Sequence, residues 1–292
     1  MKKRIALVLA LLLALTLTGC KSNDYKSAVN AMESGDYATA AQQLEALGDY
    51  KESQQMLRQC RYALAVEDFN NENFEKAVEE FRNLGDYLDA ASYVTRAEDG
   101  LLQQKIVGSW HSEMLDFTDV YLSEIESEIE GLADTLREQN ISLEMTVDIT
   151  FREDGTCSVV GSYGDVDAFM EKLSTSFTTA IEKELEQEFA AQNITLEEVY
   201  EAMGVSSVDE IFQAISGLTV QEFMDTSGVR ELLETSEEAM AYNGKFTVTN
   251  GVIQCAGNEI SYNAQDDTLN IQMNSKVQDL LGVDGLPMSR TK

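Results

Sequence analysis

The sequence predicts an α+β protein in which a helical-repeat region precedes an antiparallel sheet domain with a helical insertion. Three observations lead to this fold class. A block of about 37 residues recurs within residues 24–104. Alternating apolar residues mark strands within residues 105–292. Apolar stripes at helical spacing and serial capping patterns fill residues 165–241, between two groups of strands.

The first 19 residues have the pattern of a secretory signal peptide. The basic residues Lys2–Arg4 precede an apolar run, Ile5–Leu17, that is shorter than a membrane-spanning helix. The run leads into Leu17-Thr18-Gly19-Cys20, which resembles the bacterial lipobox. This resemblance implies cleavage before Cys20, acyl chains attached through its sulfur, and a place on the outer face of the cell membrane. The alternative is a plain signal peptide with a chance cysteine.

The charge of the chain limits its partners. It carries 21 basic and 52 acidic residues, and loss of the leader removes three basic residues, leaving 18 against 52 or about −34. Such a surface repels phosphate backbones and anionic headgroups, which argues against nucleic-acid binding. The sequence therefore predicts a soluble exported body, joined to lipidated Cys20 by a short linker within residues 20–23.

An internal repeat organises residues 24–104. A shift of 37 residues places Leu84–Tyr87 on Leu47–Tyr50, both reading Leu-Gly-Asp-Tyr, and places Tyr62 on Tyr25. Apolar residues at helical spacing predict a helix, a turn and a second helix in each unit.

Two motifs carry a family resemblance. They are Gly35-Asp36-Tyr37-x-x-Ala40-Ala41-x-x-Leu44 and Asn73-Phe74-x-x-Ala77-Val78-x-x-Phe81. They resemble tetratricopeptide-type repeats, in a variant common in exported proteins of Gram-positive bacteria. The resemblance implies a stacked-helix scaffold that binds protein segments, such as envelope proteins. A simple spacer between the membrane and the second domain is the alternative. The spacing departs from the usual 34 residues, so helix lengths or turns must differ.

The region 105–292 carries a second resemblance. Its motifs are Gly108-Ser109-Trp110, then Phe-x-x-Asp-Gly-Thr from Phe151, then Tyr-x-Gly-Lys-Phe-x-Val from Tyr242. They are similar to lipocalin-like modules of bacterial lipoproteins, which implies a small β-barrel or sheet closed at one end by Trp110. Alternation and turn residues predict strands at Met145–Phe151, Thr156–Tyr163, Lys245–Thr249, Val252–Ala256, Glu259–Tyr262 and Thr268–Met273.

A helical insertion is predicted at about residues 165–241. An apolar stripe runs from Phe169 to Phe189, and three Ser/Thr-x-x-Glu capping patterns follow at Thr195, Ser207 and Thr219. One interpretation packs these helices on the sheet or on one another. The other has the insertion roof an apolar cavity that admits a lipid or a hydrophobic peptide.

The remaining cysteines offer a disulfide but no metal site. Cys60 falls in a predicted helix, whereas Cys157 and Cys255 fall in strands and can pair if those strands are neighbours. Otherwise each is a small buried hydrophobe. Because the chain has no Cys-x-x-Cys motif and a single histidine, His111, no metal and no cofactor are expected.

Catalytic motifs are absent from the sequence. No Gly-x-Ser-x-Gly, His-Glu-x-x-His or phosphate-binding glycine loop occurs, and His111 is predicted to point outward because Trp110 points inward. We expect an interaction or scaffolding lipoprotein that is not an enzyme. The alternatives are a binding protein for a small apolar ligand or lipid, and an enzyme with an unrecognised site.

Overall fold

A computed structural model describes residues 21–119, 121–122, 136–138, 141–273, 275, 278–279 and 283–291. These residues form two compact units. The helical unit contains the described residues up to Lys105 together with Val248–Gly251, and the sheet unit contains Ile106–Thr247 and Val252 onward. The predicted signal peptide and Cys20 lie outside the described residues.

The described residues of the helical unit form five helices. They are α1 (residues 21–33), α2 (Tyr37–Leu47), α3 (Ser53–Asn70), α4 (Phe74–Leu84) and α5 (Ala90–Ile106). Residues 21–23, expected as a linker, are helical. The apolar faces form one cluster around Leu44 and Cys60 and another around Phe81 and Ala97.

The two units of the repeat share their geometry as well as their sequence. Helices α2 and α4 have equal length, and their first residues are 37 positions apart. The first residues of α3 and α5 are also 37 positions apart. Both α2 and α4 end at a glycine with positive φ, 60° at Gly48 and 64° at Gly85, which a side chain would strain. The hydroxyl of Tyr25 donates to Glu52 in the first unit, and that of Tyr62 donates to Asp89 at the equivalent positions of the second.

Ten strands form one antiparallel sheet. Their bounds are β1 (Gly108–Ser112), β2 (Leu115–Asp116), β3 (Glu144–Phe151), β4 (Thr156–Tyr163), β5 (Tyr242–Lys245), β6 (Thr247–Thr249), β7 (Val252–Cys255), β8 (Asn258–Asn263), β9 (Thr268–Ile271) and β10 (Leu286–Arg290). The order is β5-β4-β3-β1-β10-β9-β8-β7-β6, and β2 pairs with β3.

The sheet is nearly closed into a barrel because its two outermost strands are consecutive in the chain. Only Phe246 separates β5, at one end of the strand order, from β6 at the other. Its buried ring packs edge to face on Phe151, with 4.9 Å between centroids. Large buried side chains project from the strands into the sheet core: Trp110, Ile149, Phe151, Phe246, Ile253, Ile260, Leu269, Leu286 and Met288.

Trp110 and Arg290 pack together at one end of this sheet, where Arg290 is the last residue of β10. The Trp110 ring is fully buried, donates a 2.8 Å hydrogen bond to the Ile106 carbonyl, and lies 4.2 Å from the Arg290 guanidinium carbon. Arg290 also donates to both carboxylate oxygens of Asp267, which holds the pKa of that carboxyl below its ordinary value. A Cβ at Gly108 would lie 2.8 Å from Arg290 Nη1, so glycine makes room for this arrangement.

Five helices lie between β4 and β5. They are α6 (Val166–Ala190), α7 (Leu196–Met203), α8 (Val208–Ser216), α9 (Val220–Thr226) and α10 (Val229–Met240). Thr195 and Thr219 form full capping boxes with Glu198 and Glu222. Ser207 accepts from the backbone of Glu210, whose carboxylate instead accepts from the Ser206 N–H. Their apolar faces form a second core in the sheet unit, centred on Phe169, Leu173, Met224 and Leu233.

The predicted α+β class, with helices first and an antiparallel sheet after them, is confirmed. Besides the helical residues 21–23, the strands differ from the sequence prediction in two respects: an expected strand is divided, and some strands were not predicted. The strand expected over Lys245–Thr249 is broken at Phe246 into the ends of β5 and β6, and the sequence pattern did not predict β10.

Replacing Trp110 with alanine is expected to lower the free energy of unfolding by about 3–5 kcal/mol, because a fully buried indole is lost from the end of the sheet. Urea denaturation measures the change. His111→Ala, at the adjacent exposed position, should change stability by less than about 0.5 kcal/mol. A Trp110→Ala variant with a nearly unchanged free energy of unfolding would show that the ring does not stabilise this end of the sheet.

Candidate functional site

A groove follows α4 and α5 in the helical unit. Two adjoining depressions, about 490 and 420 Å³, share Glu75, Glu79 and Leu101 and together make one continuous surface. This surface, the α4–α5 groove, is lined by Glu72, Asn73, Phe74, Glu75, Lys76, Val78, Glu79, Arg82, Asn83, Glu98, Leu101 and Gln104. Its length along two helices suits an extended or helical segment of another chain.

The floor of the groove is apolar and depends on a glycine. Phe74, Val78 and Leu101 supply the apolar surface. A Cβ added to Gly100 would lie 2.6 Å from the Phe74 ring, so the bare glycine lets this ring lie against α5. The close approach of α4 and α5 therefore fixes one end of the floor.

The rim of the groove carries negative charge without compensation. Lys76 lies 2.9 Å from Asp68, and a hydrogen bond between them raises the pKa of Lys76. Arg82 is paired with Glu98. The exposed carboxylates of Glu72, Glu75 and Glu79 have no such pairing with any described residue. Both cations of the rim are thus engaged, while three carboxylates remain available to a partner.

The first unit of the repeat lacks this charge. Counting back 37 residues, Ala38 and Gln42 stand where the second unit has Glu75 and Glu79. The cross-helix ion pair persists with its charges exchanged, since Glu45 and Arg61 occupy the positions of Arg82 and Glu98. The helical geometry is therefore shared, whereas the acidic rim belongs to the second unit alone. Comparing the two units position by position identifies the extra carboxylates from sequence, but not which of them stay unpaired.

A second pocket, the α10 pocket, lies in the sheet unit. It has a volume of about 230 Å³ and is lined by Phe117, Tyr121, Leu143, Tyr163, Leu232, Leu233 and Ser236. Tyr163 stands on the same face of β4 as the buried Cys157, because alternate residues of a strand share a face. Helix α10 packs over that face, since a Cβ at Gly161 would lie 3.0 Å from the Met240 sulfur.

Hydroxyl groups provide the polarity of the α10 pocket. Tyr163 Oη and Ser236 Oγ are 3.1 Å apart, within hydrogen-bond distance. Burial raises the pKa of Tyr121 to about 12, so its hydroxyl stays protonated at neutral pH. None of the described residues that line the pocket has a charged side chain.

The structure joins Cys157 on β4 and Cys255 on β7 by a disulfide bond. The sequence led us to expect this pairing only if the two strands were neighbours, but they are not neighbours in the sheet. Each is second from an end of the strand order, so the bond crosses the region where the sheet nearly closes. Cys60 is buried and unpaired, and burial raises the pKa of its thiol, which disfavours the reactive thiolate.

His111 lies on the exposed side of β1, as expected from its neighbour Trp110. Its Nδ1 is 2.8 Å from Asp148 Oδ1, and both side chains are about half exposed. The Cα partner of His111 on its other side is Ser289. An exposed pair of this kind contributes little to stability.

The described residues offer neither a membrane-spanning helix nor a metal site. No helix there has the length and apolarity needed to span a membrane. Within the same residues, no group of three or more His, Cys, Asp or Glu side chains could hold a metal ion.

The chain matches no family model, no curated protein and no solved structure. Its function must therefore be inferred from its own residues.

Proposed function

We propose that this chain is an extracytoplasmic lipoprotein that acts as an interaction or scaffolding module, without catalysis. Its proposed localisation is supported by the sequence alone. The chain has a basic start, an apolar run, and Leu17-Thr18-Gly19-Cys20 in the pattern of a lipobox. Acyl chains on Cys20 would hold the protein at the outer face of the cell membrane. The repeat variant resembled by residues 24–104 favours a Gram-positive bacterium.

Tetratricopeptide-like and lipocalin-like architectures remain part of this proposal. The first is supported by the 37-residue recurrence of helix starts, glycine ends and tyrosine contacts. The second is supported by the buried Trp110 of the Gly-x-Trp motif at one end of a nearly closed sheet. Neither architecture by itself specifies a partner.

The α4–α5 groove carries the functional proposal. Its apolar floor would bury the side chains of a partner segment, and its three available carboxylates would pair with cations. The partner that fits is therefore a basic, amphipathic segment of an envelope protein. Attraction between this segment and a mature chain of net charge about −34 would also speed their encounter.

The repeat itself supplies the test variant. Glu75→Ala/Glu79→Gln places the residues of the first unit at the equivalent positions of the second, so the helix keeps residues already compatible with this fold. Binding of a fluorescent peptide of alternating Lys and Leu residues is measured by anisotropy. We expect the variant to bind about 5–30-fold more weakly, because two charge-assisted contacts of roughly 0.5–1 kcal/mol each are lost.

A charge-matched control separates the groove from the general acidity of the chain. Glu184→Ala/Glu188→Gln removes the same charge from exposed positions of α6 in the sheet unit. This control should change affinity less than about twofold, because Glu184 and Glu188 do not line the α4–α5 groove. Equal weakening by both variants would mean that the peptide binds anionic surface without regard to the groove.

A further inference from the structure

The α10 pocket has the composition of a ligand site rather than of a packing defect. Four of its lining side chains are apolar: Phe117, Leu143, Leu232 and Leu233. The other three bring hydroxyl groups toward the same space. Apolar walls with a few convergent polar groups are typical of small-molecule sites.

The character of the described lining residues narrows the class of ligand that the pocket can bind. A quarter of the residues in the chain are charged, yet no described lining residue of this pocket is. Nearby, Glu237 accepts a hydrogen bond from the Tyr163 backbone, which places a carboxylate beside the site. Burying an anion here would cost free energy without a compensating cation, so the ligand should be neutral.

The volume of the α10 pocket limits the size of the ligand. A dry apolar cavity of about 150 Å³ accommodates benzene. By proportion, 230 Å³ corresponds to ~9 non-hydrogen atoms. The mouth carries Leu232, whose side chain is 59% exposed.

We propose that the α10 pocket binds a neutral medium-chain amphiphile, with an apolar body of about eight carbons and one carbonyl or hydroxyl oxygen. The chain lies against Phe117, Leu143 and Leu233, and the oxygen bonds to the hydroxyl of Tyr163, since the Ser236 hydroxyl already donates to the Leu233 carbonyl. This site is independent of the α4–α5 groove, so either proposal can fail without the other.

The experiment titrates the intact protein with two probes of equal chain length, 2-nonanone and nonanoate. Leucine methyl groups are observed by NMR, since three leucines line the pocket. We expect saturable shifts of the Leu143, Leu232 and Leu233 methyls with 2-nonanone, and at least tenfold weaker binding of nonanoate. Equal affinity for the two probes, or no saturable shift with the ketone, would overturn the proposal.

Substitutions locate the binding. Leu232→Trp fills the pocket from its exposed mouth and should weaken 2-nonanone binding more than tenfold. The matched control Leu88→Trp, at a position 70% exposed in the helical unit, should leave it unchanged. Tyr163→Phe keeps the ring but loses the hydroxyl, and should weaken binding about two- to tenfold. Binding that is indifferent to both pocket variants would place the ligand elsewhere.

Discussion

Cys20→Ser is expected to abolish the attachment of lipid completely. In the proposed lipoprotein the sulfur of Cys20 carries the acyl chains, and each buried CH2 contributes about 0.8 kcal/mol, so two or more chains give stable anchoring. Serine offers no thiol for lipid transfer. The variant should appear in the medium or keep an uncleaved leader, whereas the wild-type protein should sediment with membranes and incorporate radiolabelled fatty acid.

Cys60→Ser is the matched control for this prediction. Cys60 is buried within the helical unit, so its replacement should leave both sedimentation and labelling at the wild-type level. Fatty-acid label in Cys20→Ser, or a mature wild-type chain that starts at another residue, would contradict the proposed anchor.

Removal of the disulfide is expected to have the second-largest effect. Cys157 and Cys255 are 98 residues apart, and in the chain-entropy model a loop of about 100 residues contributes about 4.7 kcal/mol. The bond also links β4 and β7, which lie on either side of the place where the sheet nearly closes. There the chain passes from β5 to β6 at Phe246. Cys157→Ala/Cys255→Ala should therefore lower the free energy of unfolding of the sheet unit by about 4–5 kcal/mol.

Guanidinium denaturation with and without dithiothreitol measures this effect. The reductant should destabilise the wild-type protein by a similar amount and leave the double alanine variant unchanged. Cys60→Ala should remain sensitive to the reductant, because its disulfide is intact. Equal stability of the oxidised and reduced wild-type protein would show that the bond does not restrain the sheet.

Short sequence patterns predicted the helix ends and turns, because these features depend on residues that are close together in the chain. The 37-residue recurrence anticipated the common start of α2 and α4, because helix starts and glycine ends depend on nearby residues. Asn250-Gly251 anticipated the hairpin between β6 and β7, where both residues have positive φ. Thr195 and Thr219 likewise marked the starts of two short helices.

Long-range pairing was not evident from the same signals. Strand β10 contains Pro287, which argues against a strand inside a sheet. The structure accommodates it because β10 pairs with β1 only from Met288 onward, so Pro287 lies beyond the end of that ladder. The alternation across Lys245–Thr249 gave no sign of the break at Phe246, since the break arises from closure of the whole sheet.

The candidate sites were predicted in outline only. The repeats indicated a scaffold, but the acidic rim depends on which carboxylates remain after Lys76 and Arg82 are paired, and pairing requires coordinates. One interpretation of the sequence placed an apolar cavity beneath the helical insertion. The α10 pocket also needs Phe117 and Leu143, which precede the insertion in the chain and are brought to it by the fold.

Photocrosslinking in the living cell tests the proposed interaction most directly. A photoreactive amino acid is placed at Asn83 in the α4–α5 groove, and at Ala46, the exposed equivalent position of the first unit, as the control. We expect a discrete adduct from position 83 that is absent from position 46 and is lost in Glu75→Ala/Glu79→Gln. Equal adducts from both positions, or an adduct that survives the double substitution, would contradict it.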